Sequence, residues 1–104
     1  MAEQLNLYRV KWLDGTGFDY YDSMIVAAET KIEARRIFPV PMYRIYDVNN
    51  NSWMDPRTGN LCDGSGAWFR WVDGKDINEL VVTYIGVADF SIKKGVVLAS
   101  FNAG

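Results

Sequence analysis

Between Asn49 and Trp71 the chain reads NNNSWMDPRTGNLCDGSGAWFRW, and much of what could bind or react is gathered there. Asp55 and Asp63, with Gly59 and Asn60 between them, suggest a calcium loop. The spacing rejects it, because Pro56 and Arg57 follow Asp55 where such a loop needs oxygen ligands at alternate early positions and an acid at the twelfth. Gly59, Gly64 and Gly66 do not make a phosphate loop either, since no Lys-Ser/Thr pair follows and the run leads into an aromatic segment instead of a helix N-terminus. Cys62 is the single cysteine and the chain has no histidine. A nucleophilic Cys62 would therefore need activation by a cation or a helix end, which the sequence does not indicate. The carboxylate pairs Asp19/Asp22 and Asp73/Asp76 sit in turn contexts, where Asp bonds its own backbone. Without histidine the usual general base and the commonest zinc ligand are missing as well. No enzymatic activity, metal or cofactor is expected.

What the run does offer is recognition. Tryptophan and arginine dominate binding energy at protein interfaces, so Trp53, Arg57, Trp68 and Arg70 form a candidate partner-binding surface. The same residue types can stack a base or hold a nucleotide, with Lys75 joining Arg57 and Arg70 on phosphate, which is the alternative reading. A third outcome is that the loop folds back and its aromatics plug the domain's own core. An irregular connection at about 49–67 exceeds the roughly 12–15 residues at which structureless loops become uncommon, which favours a functional role. A secondary candidate surface is Ile32 with Arg35 and Arg36; its bland reading is a solvated helix face whose cations complement the helix C-terminus.

The elements that would position these residues emerge from period and punctuation. In Leu7–Leu13, Tyr8, Val10 and Trp12 alternate with Arg9 and Lys11, the pattern of a half-buried strand. Asp14–Gly17 is a turn cluster and Met24–Ala28 a second strand, so the two are expected to pair as an antiparallel hairpin. Thr30 and Glu33 have capping-box spacing, and Pro39 disfavours helical geometry just before it, which together predict a short helix at about 30–38. Its Ala34, Ile37 and Phe38 share one face and should pack on the sheet. Further strands are expected in Met42–Val48, in WFRWV at 68–72, and in Leu80–Ala88 and Gly95–Phe101, with DGKD at 73–76 a turn. The sum is a single α+β domain over 1–104: a mostly antiparallel sheet of about five strands with one short helix on one face. The two late strands are expected to leave a sheet edge open to a second copy, giving a homodimer.

Composition narrows the classes. The 104 residues are 49% hydrophobic and 23% charged with a net charge of −2, which fits one globular domain. That balance weighs against non-specific nucleic-acid binding, which needs a cationic surplus. No secretory leader or bilayer-length apolar run is read in the sequence, so a cytoplasmic protein without membrane contact is expected.

YRVKW, MIVAAETKIEARRIFP, VTYIGVAD and the terminal GVVLASFNAG together resemble small, mostly uncharacterised accessory proteins of phages and mobile elements. The resemblance covers both ends of the chain and omits the irregular run. It implies a phage-encoded protein that binds and inhibits or modulates a host protein or defence complex, as anti-CRISPR proteins do, acting in the host cytoplasm. It carries no catalytic residue.

Overall fold

The computed structural model of the protein describes residues 4–13, 20–66 and 69–102; the expected turn at Asp14–Gly17 lies outside them, as do Asp19 and Trp68. Strands β1 (Asn6–Lys11) and β2 (Tyr20–Ala28) pair antiparallel, with Tyr8 opposite Val26 and Val10 opposite Met24. Those four side chains are buried while Arg9 and Lys11 are exposed, so the period-two alternation has done what it predicts. Helix α1 (Lys31–Arg35) comes directly after β2. The Thr30 hydroxyl accepts a hydrogen bond from the Glu33 N–H at 3.1 Å, while the Glu33 carboxylate accepts from the Glu29 N–H at 2.9 Å, one residue before the cap. The helix closes earlier than expected, at Arg35. Arg36 and Ile37 already take the tighter i→i−3 bonds to Glu33 and Ala34, and Pro39 disfavours helical geometry at Phe38.

Between α1 and the late strands the chain builds a second, smaller sheet from β3 (Ile45–Asp47), β4 (Ser52–Met54) and β5 (Leu61–Cys62). The expected irregular loop is thus largely structured, and the described residues hold seven strands in two sheets instead of about five in one. Strands of two or three residues are too short to show a period. What forms them is turn chemistry: Asp47 accepts from the Asn49 N–H, Asn51 takes the left-handed conformation at φ 48°, and Gly59 takes φ 75° beyond Asp55. Phe69–Val72 belongs to no strand. It runs beside Gly64–Gly66, with the Trp71 N–H donating to the Gly64 carbonyl and the Gly66 N–H to the Phe69 carbonyl. A Cβ at Gly64 would collide with the Trp71 carbonyl oxygen, so that approach requires glycine.

The expected DGKD turn opens a 3-10 helix, Gly74–Glu79, which leads into β6 (Val81–Val87) and then β7 (Gly95–Asn102). The larger sheet has the order β6-β1-β2-β7, all antiparallel, so both late strands lie at its edges. One core joins the layers: Tyr8, Val10, Met24 and Val26 from the sheet meet Ala34 and Phe38 from the helical side and Trp53, Trp71 and Ile77 from the second half. The α+β architecture with a short helix laid on one face of a mostly antiparallel sheet is therefore as expected.

Candidate functional site

The structure does not assemble the expected Trp53, Arg57, Trp68, Arg70 surface. Trp53 is wholly buried: its indole N–H donates to the Val72 carbonyl at 2.8 Å, and its ring meets Phe38 and Tyr46 edge-on at 5.1 and 5.6 Å. It is a core residue, because β4 turns its central side chain inward and the indole finds its one acceptor there. Arg57 is exposed at the β4–β5 turn, but its guanidinium folds onto Asp55, with Nε to Oδ1 at 3.2 Å and Nη2 to Oδ2 at 3.1 Å. This pairing holds the Asp55 carboxyl below the usual carboxylate range, first through the side-chain hydrogen bond and then through the Arg57 backbone N–H. Arg70 lines a different recess with Trp12, Asp76 and Glu79, and its carbonyl accepts from the Tyr21 N–H. Trp68 lies outside the described residues.

The secondary surface fares differently. Ile32, Arg35 and Arg36 line one cavity of about 320 Å3, and the fold adds Tyr46, Asn51, Lys75 and Asn78 from three further segments. Arg36 sits with its guanidinium carbon 5.3 Å from the centre of the Tyr46 ring, a cation–π contact. The Tyr46 hydroxyl hydrogen-bonds the Asn51 carboxamide oxygen at 3.2 Å, which fixes the ring under the guanidinium. Lys75 reaches the cavity because the 3-10 helix presses onto β4 at Gly74, where a Cβ would stand 2.6 Å from both the Ser52 Cα and the Trp53 N. The DGKD turn signal places Lys75 on the surface; nothing local in the sequence joins it to Arg35 and Arg36.

On the other side of the Arg36–Tyr46 contact runs an open groove of about 570 Å3 between residues 36–46 and the start of β7. Its floor is apolar, with Ile37, Phe38, Ile45 and Val97 among its residues, and its cations are Arg36, Arg44, Lys93 and Lys94. Lys94 is spoken for. It bridges Glu29 and Glu33 at 3.2 Å each, and those bonds, Glu33 first, hold its ammonium charged above the usual lysine range. Arg44 donates to the carbonyls of Tyr43, Asp63 and Ser65, which orient the guanidinium without neutralising it. Its carbon also stands 5.6 Å from the Phe69 ring centre, and Phe69 stacks on Tyr43 at 5.6 Å. The rings therefore run Tyr46, Trp53, Phe38, Phe69, Tyr43 in continuous contact, with Arg36 against the Tyr46 end and Arg44 against Phe69 near the other.

Cys62 and Asp73 are the other groups singled out by type. Burial pushes the Cys62 thiol up, against a smaller opposing pull from Arg44, the wrong direction for a nucleophile. Asp73 accepts from the Gly64 N–H at 2.9 Å and serves the turn, as Asp in such contexts does. Among the described residues no group of three His, Cys, Asp or Glu could hold a metal ion, and no helix is long and apolar enough to cross a membrane. Comparison with protein-family models, curated proteins and solved structures gives no match.

Proposed function

We propose that the protein is a non-enzymatic binding module, phage-encoded, that inhibits or modulates a host protein or defence complex in the host cytoplasm. The contact it makes is an extended, acidic and apolar segment of the partner seated in the groove beside β7. The observation that carries this is the groove's make-up: an apolar floor, a wall with no carboxylate in it, and Arg36, Arg44 and Lys93 in no ion pair among the described residues. On a chain of net charge −2 such a cluster sets up a local field opposite to that of the whole molecule. The cations would select and steer an acidic partner, while the floor would supply affinity.

Fluorescence polarisation with extended peptides alternating Glu with Leu or Ile tests this. Binding should weaken with salt, and Ile45→Asp and Lys93→Glu should each weaken it about tenfold, roughly 1.4 kcal/mol. Equal binding of a Lys-for-Glu peptide, or no effect of either variant, would sink the proposal. Capture from the native host with wild type and the Ile45→Asp variant in parallel, read by mass spectrometry, then identifies the partner. A homodimer through a sheet edge would form at β6 or β7, which end the larger sheet and both expose apolar side chains, Val81, Ile85 and Val87 on the first and Val97 and Leu98 on the second. Light scattering that stays at 11.8 kDa over the accessible concentration range removes it.

A further inference from the structure

We propose that the cavity between the end of α1 and the 3-10 helix is an anion site for a phosphomonoester group. It shares Arg36 and Tyr46 with the groove, but Arg35 and Lys75 line the cavity alone and Arg44 and Lys93 the groove alone, so each site can be disabled separately.

Charge argues first. Arg35, Arg36 and Lys75 line the cavity, no carboxylate does, and none of the three is in an ion pair among the described residues. Three cations from two separate elements converge on a small volume in a protein that is acidic as a whole. Such convergence carries a repulsive cost that an anion between them would remove. Lys75 also borders a neighbouring recess with Asp63 and Asp73, but the Asp73 carboxylate already accepts from the Gly64 N–H and no ion pair forms there.

An orphaned donor argues second. The Arg35 Nε is buried and has no hydrogen-bond partner. A buried donor left unsatisfied is costly, more so when it belongs to a charged group, and a rotamer change that turns the Arg35 Nε–H toward the cavity would give it an oxyanion as acceptor. The neighbouring Arg36 is already oriented: its guanidinium lies over Tyr46, whose hydroxyl is held by Asn51, itself in the left-handed conformation that asparagine tolerates. Asn51 and Asn78 add neutral amide groups to the wall, able to donate to oxygen.

Size and stoichiometry choose the ligand. A cavity of about 320 Å3 is at the small end of the roughly 300–1,000 Å3 typical of small-molecule sites. It admits one phosphate-bearing group with a modest organic remainder. A carboxylate brings a single negative charge and two oxygens for three cations, whereas a phosphomonoester brings close to two charges and three acceptor oxygens. Two arginine forks and a lysine match the latter.

The test is a titration of the full chain at fixed ionic strength, followed by 1H–15N correlation spectra that include the arginine Nε–Hε resonances. The probes are inorganic phosphate, free O-phosphoserine, a phosphoserine peptide and acetate. Phosphate and O-phosphoserine should produce saturable shifts at the Arg35 Nε–H and at the amides of Gly74 and Lys75, and acetate should not. Lys75→Gln, at an exposed position, should weaken binding about tenfold, as expected for one charge-assisted contact, and Arg35→Gln at least as much. Arg57→Gln, which removes an equal charge elsewhere, should leave it unchanged. Equal affinity for O-phosphoserine and the peptide marks a small-molecule ligand; a peptide tighter by tenfold or more marks the same group delivered on a protein chain. Non-saturating shifts spread over the basic residues, acetate binding as well as phosphate, or an Arg57→Gln effect matching that of Lys75→Gln would each overturn the assignment. Loss of acidic-peptide binding in the groove would leave it standing, since Arg35 and Lys75 are not part of that site.

Discussion

In the β4–β5 turn Arg57 folds its guanidinium back onto Asp55, two residues away, whereas at the end of α1 Arg35 and Arg36 face Lys75 across a cavity with no carboxylate in its wall. Both regions mix aromatic and cationic residues. In the first, a tight turn places an acid within reach of a neighbouring cation, and the tryptophan beside them is drawn inward by the carbonyl of Val72. In the second, cations from two distant segments are brought together by packing between β4 and the 3-10 helix, and no acid comes with them. The difference is that the turn answers its own cation with a neighbouring acid, whereas the packing at the end of α1 leaves its cations in no ion pair among the described residues, whatever the number of tryptophans and arginines in either stretch.

Three measurements break or sharpen that contrast. The largest effect should come from Trp53→Ala, which deletes a fully buried ring and orphans the Val72 carbonyl; a loss of about 3–5 kcal/mol by denaturant unfolding is expected. A loss below about 1 kcal/mol, the scale of a surface change, would return Trp53 to the surface and restore the loop as a recognition element. Next comes Gly74→Ala, which drives a Cβ into the backbone of Ser52 and Trp53. Overpacking of this kind costs about 1–3 kcal/mol, and here it should also displace Lys75 and weaken phosphate binding. Wild-type stability in this variant would show that the 3-10 helix does not press on β4.

The smallest effect should be that of Arg57→Ala. The exposed pair with Asp55 contributes little, so the unfolding midpoint at neutral pH should stay within experimental scatter. What should move is the Asp55 titration, upward toward the ordinary carboxylate value. In the wild type the depressed Asp55 pKa gives a contribution present above the unfolded carboxylate's pKa and lost as pH falls through the folded value. Arg57→Ala should reduce that dependence, leaving the part owed to the backbone N–H of residue 57, which the variant keeps. An unchanged Asp55 titration by carbon-detected NMR would mean that the turn's backbone N–H groups, not Arg57, hold the carboxylate.

Much of this is legible in the residues, and the division has physical reasons. Alternation in Leu7–Leu13 is long enough to read, and the Thr30–Glu33 box is local chemistry, so the hairpin and the helix start are both accessible. The second sheet is not, because Ser52–Met54 and Leu61–Cys62 hold too few residues for a period, and their identity as strands rests on pairing with their neighbours. Arg35, Arg36 and Ile32 are visible as a cationic spot with an exposed apolar neighbour. Lys75 escapes notice there because its place beside them depends on the Gly74 contact with Ser52 and Trp53, more than twenty positions back in the chain, which no local pattern encodes. Whether Trp53 faces a partner or plugs the core stays open in the sequence for the converse reason: its partner, the Val72 carbonyl, is 19 residues away.

The continuous run of rings has an optical consequence. Trp53 touches Phe38 and Tyr46, and both of those also line the groove, so a segment settling against them changes the surroundings of an indole that no solvent reaches. The protein carries its own fluorophore behind the wall of the proposed groove, and the difference in emission between wild type and Trp53→Phe isolates that signal from the other tryptophans without any label attached.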